Sequence, residues 1–421
     1  MIGGLMKRGG IVAVAAAASI YSTSAMAADL GGDCCADLEE RVAELEATTA
    51  RKGNRKVSLT ISGQVNELVY WWDNGDESNV YQGTSGFSSS RFRFKGDANI
   101  NSDWSAGYMI EIETKGAQVN AQSASNDDGG EAIALRHSFW YLKSKRLGKI
   151  SVGLTSFAAD DILSSTGLGG TATAAQGNYD GAPGMGLEFG GTNILVKDVF
   201  DVWDVDRGNV VRYNTPSIAG FVLSAAWGED DRWDVALRYA GEFNGIKLAA
   251  AIGYHEFRDQ AAKYNLGDFN DIRGAISVLH VPTGLFIDFG ITQRDWDVAN
   301  ADDFTFWYLR GGVYRKFNAL GKTSIFGEYG EASGSGDNTF FRSAAGTGAD
   351  TLYDSTDGTF YGIGVQQEID AAAMELYFGW RHFNMDSTWA QDYNAGTAVG
   401  AAYRVSGDDV DTVYAGARIK F

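Results

Sequence analysis

No stretch of the 421 residues strings together the roughly eighteen apolar side chains that a membrane-crossing helix needs. Helices are therefore excluded as the membrane-spanning elements of the mature chain; strands are not. Cysteine is almost absent, with Cys34 and Cys35 side by side and no other. A disulfide framework needs spaced pairs, so nothing staples the main fold. The vicinal pair either cross-links subunits or does nothing, and Asp33 before it does not fit a lipoprotein cleavage site. Positive charge is scarce: 35 Lys and Arg against 54 Asp and Glu give a net charge of −19. Phosphate affinity needs clustered cations, so nucleic acid is not an expected partner.

Enzyme chemistry is also missing from the sequence. The four histidines, His137, His255, His280 and His382, are far apart and none has a carboxylate-and-serine context. There is no Cys–His metal pattern. Gly167-Leu-Gly169-Gly-Thr-Ala172 loosely matches a dinucleotide loop without the strand and helix around it, and Gly148-Lys149 lacks the upstream Gly of a phosphate loop. No cofactor or metal is expected.

What the chain does contain is 54 Gly and 13% aromatics, a composition that excludes disorder. Lys7 and Arg8, the apolar stretch from Ile11 to Tyr21 and Ala25-Met26-Ala27 make a secretory leader with a cleavage site. Residues 1–27 are therefore expected to be removed, leaving 33 cations against 54 anions and a charge of −21. Residues 28–55 form a separate N-terminal segment. Within it, 37–51 has helical character, and Leu38, Val42, Leu45 and Thr49 follow the four-three-four spacing of a coiled-coil seam. Two heptads are marginal alone, so this is either a seam between tethered copies or a frayed surface helix.

From residue 56 the hydrophobic period becomes two. Arg91-Phe92-Arg93-Phe94-Lys95 puts three cations on one face and two Phe on the other. Trp104, Ala106, Tyr108, Ile110 and Ile112 alternate with Ser105, Gly107, Met109, Glu111 and Glu113. About sixteen such segments follow one another, and the gaps between them alternate short and long. Short gaps include Asn101-Ser102, Pro216-Ser217 and Pro282-Thr283; long ones include 73–88, 116–131, 156–208, 331–357 and 385–409. Short periplasmic turns, long external loops and an even strand number define a closed outer-membrane barrel. Closure leaves no unpaired edge in lipid. Aromatics gather near the expected interfaces: Tyr70-Trp71-Trp72, Trp227, Trp233, Tyr254 and Trp296 externally, and Trp104, Trp140-Tyr141, Tyr239, Tyr314 and Phe317 on the periplasmic side. The last strand alternates and ends in Phe421, which resembles the signal read by the barrel-assembly machinery. The expected fold is all-β, a 16-stranded antiparallel transmembrane β-barrel over 56–421.

At this point the chain resembles a known family, the general porins of alphaproteobacterial outer membranes. The matching stretches are Arg91-Phe-Arg-Phe-Lys-Gly-Asp-Ala98, Asp103-Trp-Ser-Ala-Gly-Tyr108, Tyr141-Leu-Lys-Ser-Lys145 with Leu147-Gly148, Gly208-Asn-Val-Val-Arg-Tyr213 and Leu223-Ser-Ala-Ala-Trp-Gly-Glu229. The resemblance implies a homotrimer with a folded-in third external loop, and a helix seam of Leu38, Val42 and Leu45 on the periplasmic side. It also implies an N-terminus, Ala28-Asp29, that can be joined to peptidoglycan.

A lumen of this size is too wide to be filled by side chains and holds water, so a constriction sets selectivity. The 156–208 gap is too long for a simple hairpin. Its acids Asp160, Asp161, Glu188, Asp198, Asp201, Asp204 and Asp206 are the candidate acidic side of the constriction. The candidate basic side is Arg91, Arg93, Lys95, Arg136, Arg212 and Arg238. Alternatively, the loop acids are merely solvated, or bridge divalent ions to outer-membrane lipid and lipopolysaccharide. The summed charge predicts a mild cation preference. Three functions stay open: a general diffusion channel; a substrate-selective channel, marked by a lumen aromatic ladder or solute block; and a structural or adhesive barrel, which conducts nothing.

Overall fold

A computed structural model describes residues 56–421 except 178, 189–194, 201–206, 230, 259–267, 298–302, 335–341, 344–349, 395–396, 399–401 and 407–408. The expected helix seam, the Ala28-Asp29 terminus and the Cys34–Cys35 pair lie outside the described residues.

Sixteen barrel strands run through the described residues, each antiparallel to its chain neighbour. The first half comprises β1 (Thr60–Asp73), β2 (two runs, Ser78–Thr84 and Arg91–Asn99), β3 (Trp104–Lys115), β4 (Ala132–Ser144), β5 (Gly148–Ser156), β6 (Arg207–Asn214), β7 (Phe221–Gly228) and β8 (Trp233–Phe243). The second half comprises β9 (Ile246–Phe257), β10 (Phe269–His280), β11 (Leu285–Trp296), β12 (Phe304–Arg315), β13 (Thr323–Gly334), β14 (Asp350–Ile369), β15 (Met374–Asn394) and β16 (Val410–Lys420). The sheet closes where β16 pairs with β1, from Gln64 opposite Lys420 to Asp73 opposite Asp411. Phe421 completes the seam: its N–H donates to Gly63 at 3.1 Å and its carbonyl accepts from Gly63 at 2.9 Å.

The distribution of polarity is inside out. On β10, Ile272 and Ile276 are 51% and 44% exposed, whereas Asp271 and Arg273, on either side of Ile272, are 0% and 1% exposed. Val65, Val69, Ile287, Ile363 and Phe378 repeat this pattern on other strands. Burying ions while exposing aliphatics is unfavourable in water and favourable in hydrocarbon, where the backbone is satisfied by the closed ladder. Chain membership of the two girdles is mixed. Trp71, Trp140, Trp227, Trp233 and Phe317 face outward, but Tyr70, Trp72, Tyr141 and Trp296 point inward and are buried. Consecutive aromatics such as Tyr70-Trp71-Trp72 must alternate faces, so one run serves both sides of the wall.

Three boundaries differ from the pattern-based reading. Part of the 73–88 gap is strand, because β1 pairs with Ser78–Thr84 externally and with Arg91–Lys95 below. Between the two runs, residues 85–90 leave the ladder. Their backbone is satisfied by side chains instead: Gln64 Nε2 donates to the Ser88 and Ser89 carbonyls at 2.9 and 2.8 Å, and Asn66 Nδ2 donates to Ser88 at 2.8 Å. β14 and β15 also extend beyond the expected ends, continuing their mutual pairing on the external side, away from the short turn at 370–372 that joins them.

Candidate pore constriction

The loop between β5 and β6 does not cross directly to its partner strand. It turns into the barrel, and its apolar residues Phe157, Ala159, Ile162, Leu163, Tyr179 and Phe200 are fully buried there. It carries a one-turn helix, α1 (Ile162–Ser165), and later a second, α2 (Val196–Val199). A run of fifty residues with so much apolar surface and so little ladder must find backbone partners elsewhere, and the inward-facing wall supplies them.

At the loop base, Arg212 on β6 donates through Nη1 to the Ser156 and Phe157 carbonyls at 3.0 and 2.8 Å. Arg238 on β8 donates to the carbonyls of Ala158 and Asp160, the latter at 2.6 Å. Asp234 on the same strand accepts the Ala159 N–H. Farther in, Ser277 Oγ accepts from Leu168 N at 2.9 Å, Gln366 Oε1 from Thr173 N at 3.1 Å, and Tyr414 donates to Ala174 O at 2.7 Å. Tyr308 donates to Leu163 O at 3.1 Å. The deepest anchor is Glu328 on β13, which accepts Tyr179 Oη at 2.7 Å, Arg310 Nη2 at 3.0 Å and Arg381 Nη2 at 2.6 Å. The Arg381 guanidinium also lies 5.1 Å from the Tyr179 ring centroid. Burial lifts the Tyr179 phenol well above the usual tyrosine range, so it remains a donor.

The loop tip reaches the displaced segment of β2. Gly181 and Gly86 meet backbone to backbone, and a Cβ on Gly181 would fall 2.6 Å from the Gly86 carbonyl carbon and 2.7 Å from Phe87 N. Gly181→Val is therefore expected to push the tip off the wall at a cost of about 1–3 kcal/mol, typical of overpacking. Single-channel recording reads this as a changed open current, with heat-modifiability of the barrel retained. An unchanged current would show that the tip does not bound the passage.

Opposite the anchored loop, the inward faces of β2, β3 and β4 carry a cluster of charge at mid-barrel. Glu111 accepts Arg93 Nε at 2.6 Å and Arg136 Nε at 3.1 Å, with Arg91 Nη1 at 3.4 Å. Glu113 takes Arg136 Nη1 at 2.7 Å and the Lys115 ammonium at 3.2 Å. A register shift in β4 beside Glu111 leaves Arg136 without a cross-strand partner and swings it toward both carboxylates. Lys95, one turn of the pleat lower, pairs with Asp97 at 3.2 Å.

These positions sort the expected site residues. Arg91, Arg93 and Arg136 are brought together, but with Glu111 and Glu113 of their own wall. Strand parity puts those two carboxylates on the face opposite Trp104, Tyr108 and Ile112 without giving them a partner. Arg212 and Arg238, 3% and 6% exposed, are clamps on loop carbonyls rather than groups facing open water. Asp160 is buried, and its carbonyl is the acceptor at the clamp. Asp198 is buried and caps α2, accepting Leu195 N at 2.9 Å. Glu188 is half-buried and its carbonyl accepts Asn74 Nδ2 at 3.0 Å. Asp161, at φ 61°, precedes α1, with Arg136, Arg207 and Arg238 acting on its carboxylate. Asp201, Asp204 and Asp206 lie outside the described residues. Glu328, Arg310, Arg381 and Tyr179 were not singled out from the sequence. The signal for the three charged residues is an Arg or Glu at an inward strand position in a region too polar for a filled core; Tyr179, on the loop, carries no such signal.

The profile of the Gram-negative porins matches residues 12–420. The chain belongs to that family. Among curated proteins it is similar to outer membrane porin protein 32 of Delftia acidovorans, at 27% identity over 208 residues, 47% of this chain. That match spans about half the relative's length, 53%. Solved structures of similar fold include Pseudomonas putida OprB, at TM-score 0.55 and 10% identity over 91% of this chain and 97% of that one. Salmonella typhi OmpF in complex with daunomycin superposes at TM-score 0.52 and 17% identity, over 87% of this chain and 98% of that one. Vibrio cholerae OmpT gives 0.53 and 14%, over 88% and 99%. At such identities the likeness is one of fold. A porin barrel of this family resides in the bacterial outer membrane.

Proposed function

We propose that this porin forms a water-filled channel for passive diffusion of small hydrophilic solutes and ions across the outer membrane, and that it works as a homotrimer. The observation that carries the reading is the mid-barrel wall of Arg91, Arg93 and Arg136 with Glu111 and Glu113. Arg93 is 39% exposed inside a barrel whose outer face is aliphatic. Charges so placed need water, and water along the lumen is a conduction path. The loop-side acid proposed to face this wall is Asp161, at the loop base just before α1. A field between them would align dipolar solutes and slow apolar ones. The test is current through purified, heat-modifiable protein in a planar bilayer. Large steps closing in thirds are expected; folded protein that gives no steps would make this a structural or adhesive barrel.

The N-terminal segment belongs to the same proposal. Three copies of the Leu38, Val42 and Leu45 seam would meet beneath a trimer, and Ala28-Asp29 would be available for attachment to peptidoglycan. Muropeptide-modified Ala28 is expected in digested sacculi, and its absence would remove the tether. Phe421, paired into the closing seam, is proposed as the residue by which the barrel-assembly machinery recognises the last strand. The loop acids that do not face the passage are proposed to meet water or cation-bridged lipopolysaccharide.

A further inference from the structure

Below the arginine cluster, toward the short-turn mouth, the same wall carries lysines that the constriction does not use. Lys143 on β4 and Lys149 on β5 stand directly opposite each other in the strand pair. Both share the inward face, alternating with the outward Leu142 and Ile150. Like charges at opposed positions destabilise a strand pair, so this arrangement is not explained by the stability of the barrel. Lys95 on β2 shares this inward face, and Arg212 on β6 stands opposite Ser151, the next inward position above Lys149. Lys149 lies 5.6 Å from the centroid of the Tyr141 ring, and the Tyr141 hydroxyl bonds Asp97, the carboxylate that also pairs with Lys95. Asp97 is the one carboxylate on this lower part of the inward faces of β2–β5, among the described residues.

Charge on those faces therefore runs opposite to that of the chain. Counting the constriction, seven cations (Arg91, Arg93, Lys95, Lys115, Arg136, Lys143, Lys149) stand against three carboxylates, Asp97, Glu111 and Glu113. The chain as a whole carries −19. The lower members are lysines, compact and strongly hydrated point charges that exchange partners more readily than a bidentate guanidinium. Lys143 is exposed and the Lys95 side chain is 35% exposed, so both remain open to water.

We propose that Lys95, Lys143 and Lys149 form a station for small oxyanions, the carboxylate or phosphate groups of solutes in transit between the arginine constriction and the periplasmic mouth. The station lies inside the lumen, out of reach of lipid headgroups. It rests on the channel reading above and gives that channel a substrate class. It also reverses the sign of selectivity expected from summed charge, because a solute at the wall meets local charges before distant, screened ones.

The test uses the mature full-length protein in planar bilayers under a potassium chloride gradient, with inorganic phosphate as probe. Wild type is expected to pass chloride in preference to potassium, and phosphate added on the short-turn side is expected to reduce the chloride current. In the double variant Lys143→Gln/Lys149→Gln, the chloride-to-potassium permeability ratio should fall about threefold, the effect of removing two charges within several ångströms of a screened ion. Phosphate block should weaken in parallel, and Lys143→Arg/Lys149→Arg should keep both properties. Should the double variant fail to fold, Lys95→Gln is expected to shift the ratio in the same direction. A conducting variant with unchanged ratio and unchanged phosphate response would overturn the station and leave the porin reading intact. Folded wild type that conducts nothing would overturn both.

Discussion

Glu328→Gln is expected to free the third loop from the far wall while the barrel stays closed. Glu328 is the shared acceptor of Arg310, Arg381 and Tyr179, and both guanidinium groups are essentially without solvent contact. Neutralising it strands two buried cations, and breaking such a pair costs about 3–5 kcal/mol. Arg310 has Asp288 only at 4.0 Å as a second carboxylate. The backbone ladder of β13 with β12 and β14 does not depend on the side chain, so the loss falls on the docked loop. At tenfold per 1.4 kcal/mol, the docked-to-undocked ratio should drop by about a hundredfold or more. Limited proteolysis of the loop should accelerate, and single-channel current should become larger and noisier. Wild-type protection and current in a folded variant would mean that the remaining anchors, from Arg212 to Tyr414, hold the loop unaided.

The second large effect is on selectivity. In Glu111→Gln/Glu113→Gln the three constriction arginines lose both of their neutralising carboxylates. The wall becomes more positive, so the reversal potential in asymmetric potassium chloride should move toward chloride. Two charges removed at about 5 Å from a hydrated ion are each worth roughly 0.8 kcal/mol in water before screening, about fourfold apiece and on the order of fifteenfold together. The shift should shrink as salt rises, since the Debye length falls from about 10 Å at 0.1 M to 3 Å at 1 M. A move toward potassium would mean that the arginines do not face the conduction path.

Much of this architecture is legible in the amino-acid sequence. Alternation on single strands, as in Arg91–Lys95, and the succession of short and long gaps depend only on local geometry, and they give strand number, closure and the two ends. Parity also puts Glu111 and Glu113 together on the face opposite Trp104, Tyr108 and Ile112. It does not say which neighbour each meets, because that depends on register, and the shift in β4 that delivers Arg136 to both carboxylates has no local signature. For the same reason Arg212 and Arg238 were legible as inward cations but not as clamps; their partners are backbone carbonyls of a loop whose path is set by tertiary contacts. The run Ser78–Thr84 is hidden inside the 73–88 gap, because the Ser and Gly residues that part it from Arg91–Asn99 continue a polar gap as readily as they interrupt a strand. The register of β1 against both runs, with the Gln64 and Asn66 amides bridging the break, reveals it.

The central claim is that the Arg91–Arg93–Arg136 wall borders a continuous aqueous path while the alternate positions face lipid. Thiol accessibility tests it directly, in a background with Cys34 and Cys35 replaced by Ser. Arg93→Cys and Ile110→Cys place a thiol on the inner and outer faces of neighbouring strands, and a membrane-impermeant, sulfonate-bearing thiol reagent is applied during bilayer recording. Current through Arg93→Cys should fall and become less chloride-selective as the added negative charge occupies the passage, while current through Ile110→Cys should not change. Block at Ile110→Cys with no effect at Arg93→Cys would place the water on the other side of the wall and contradict the account.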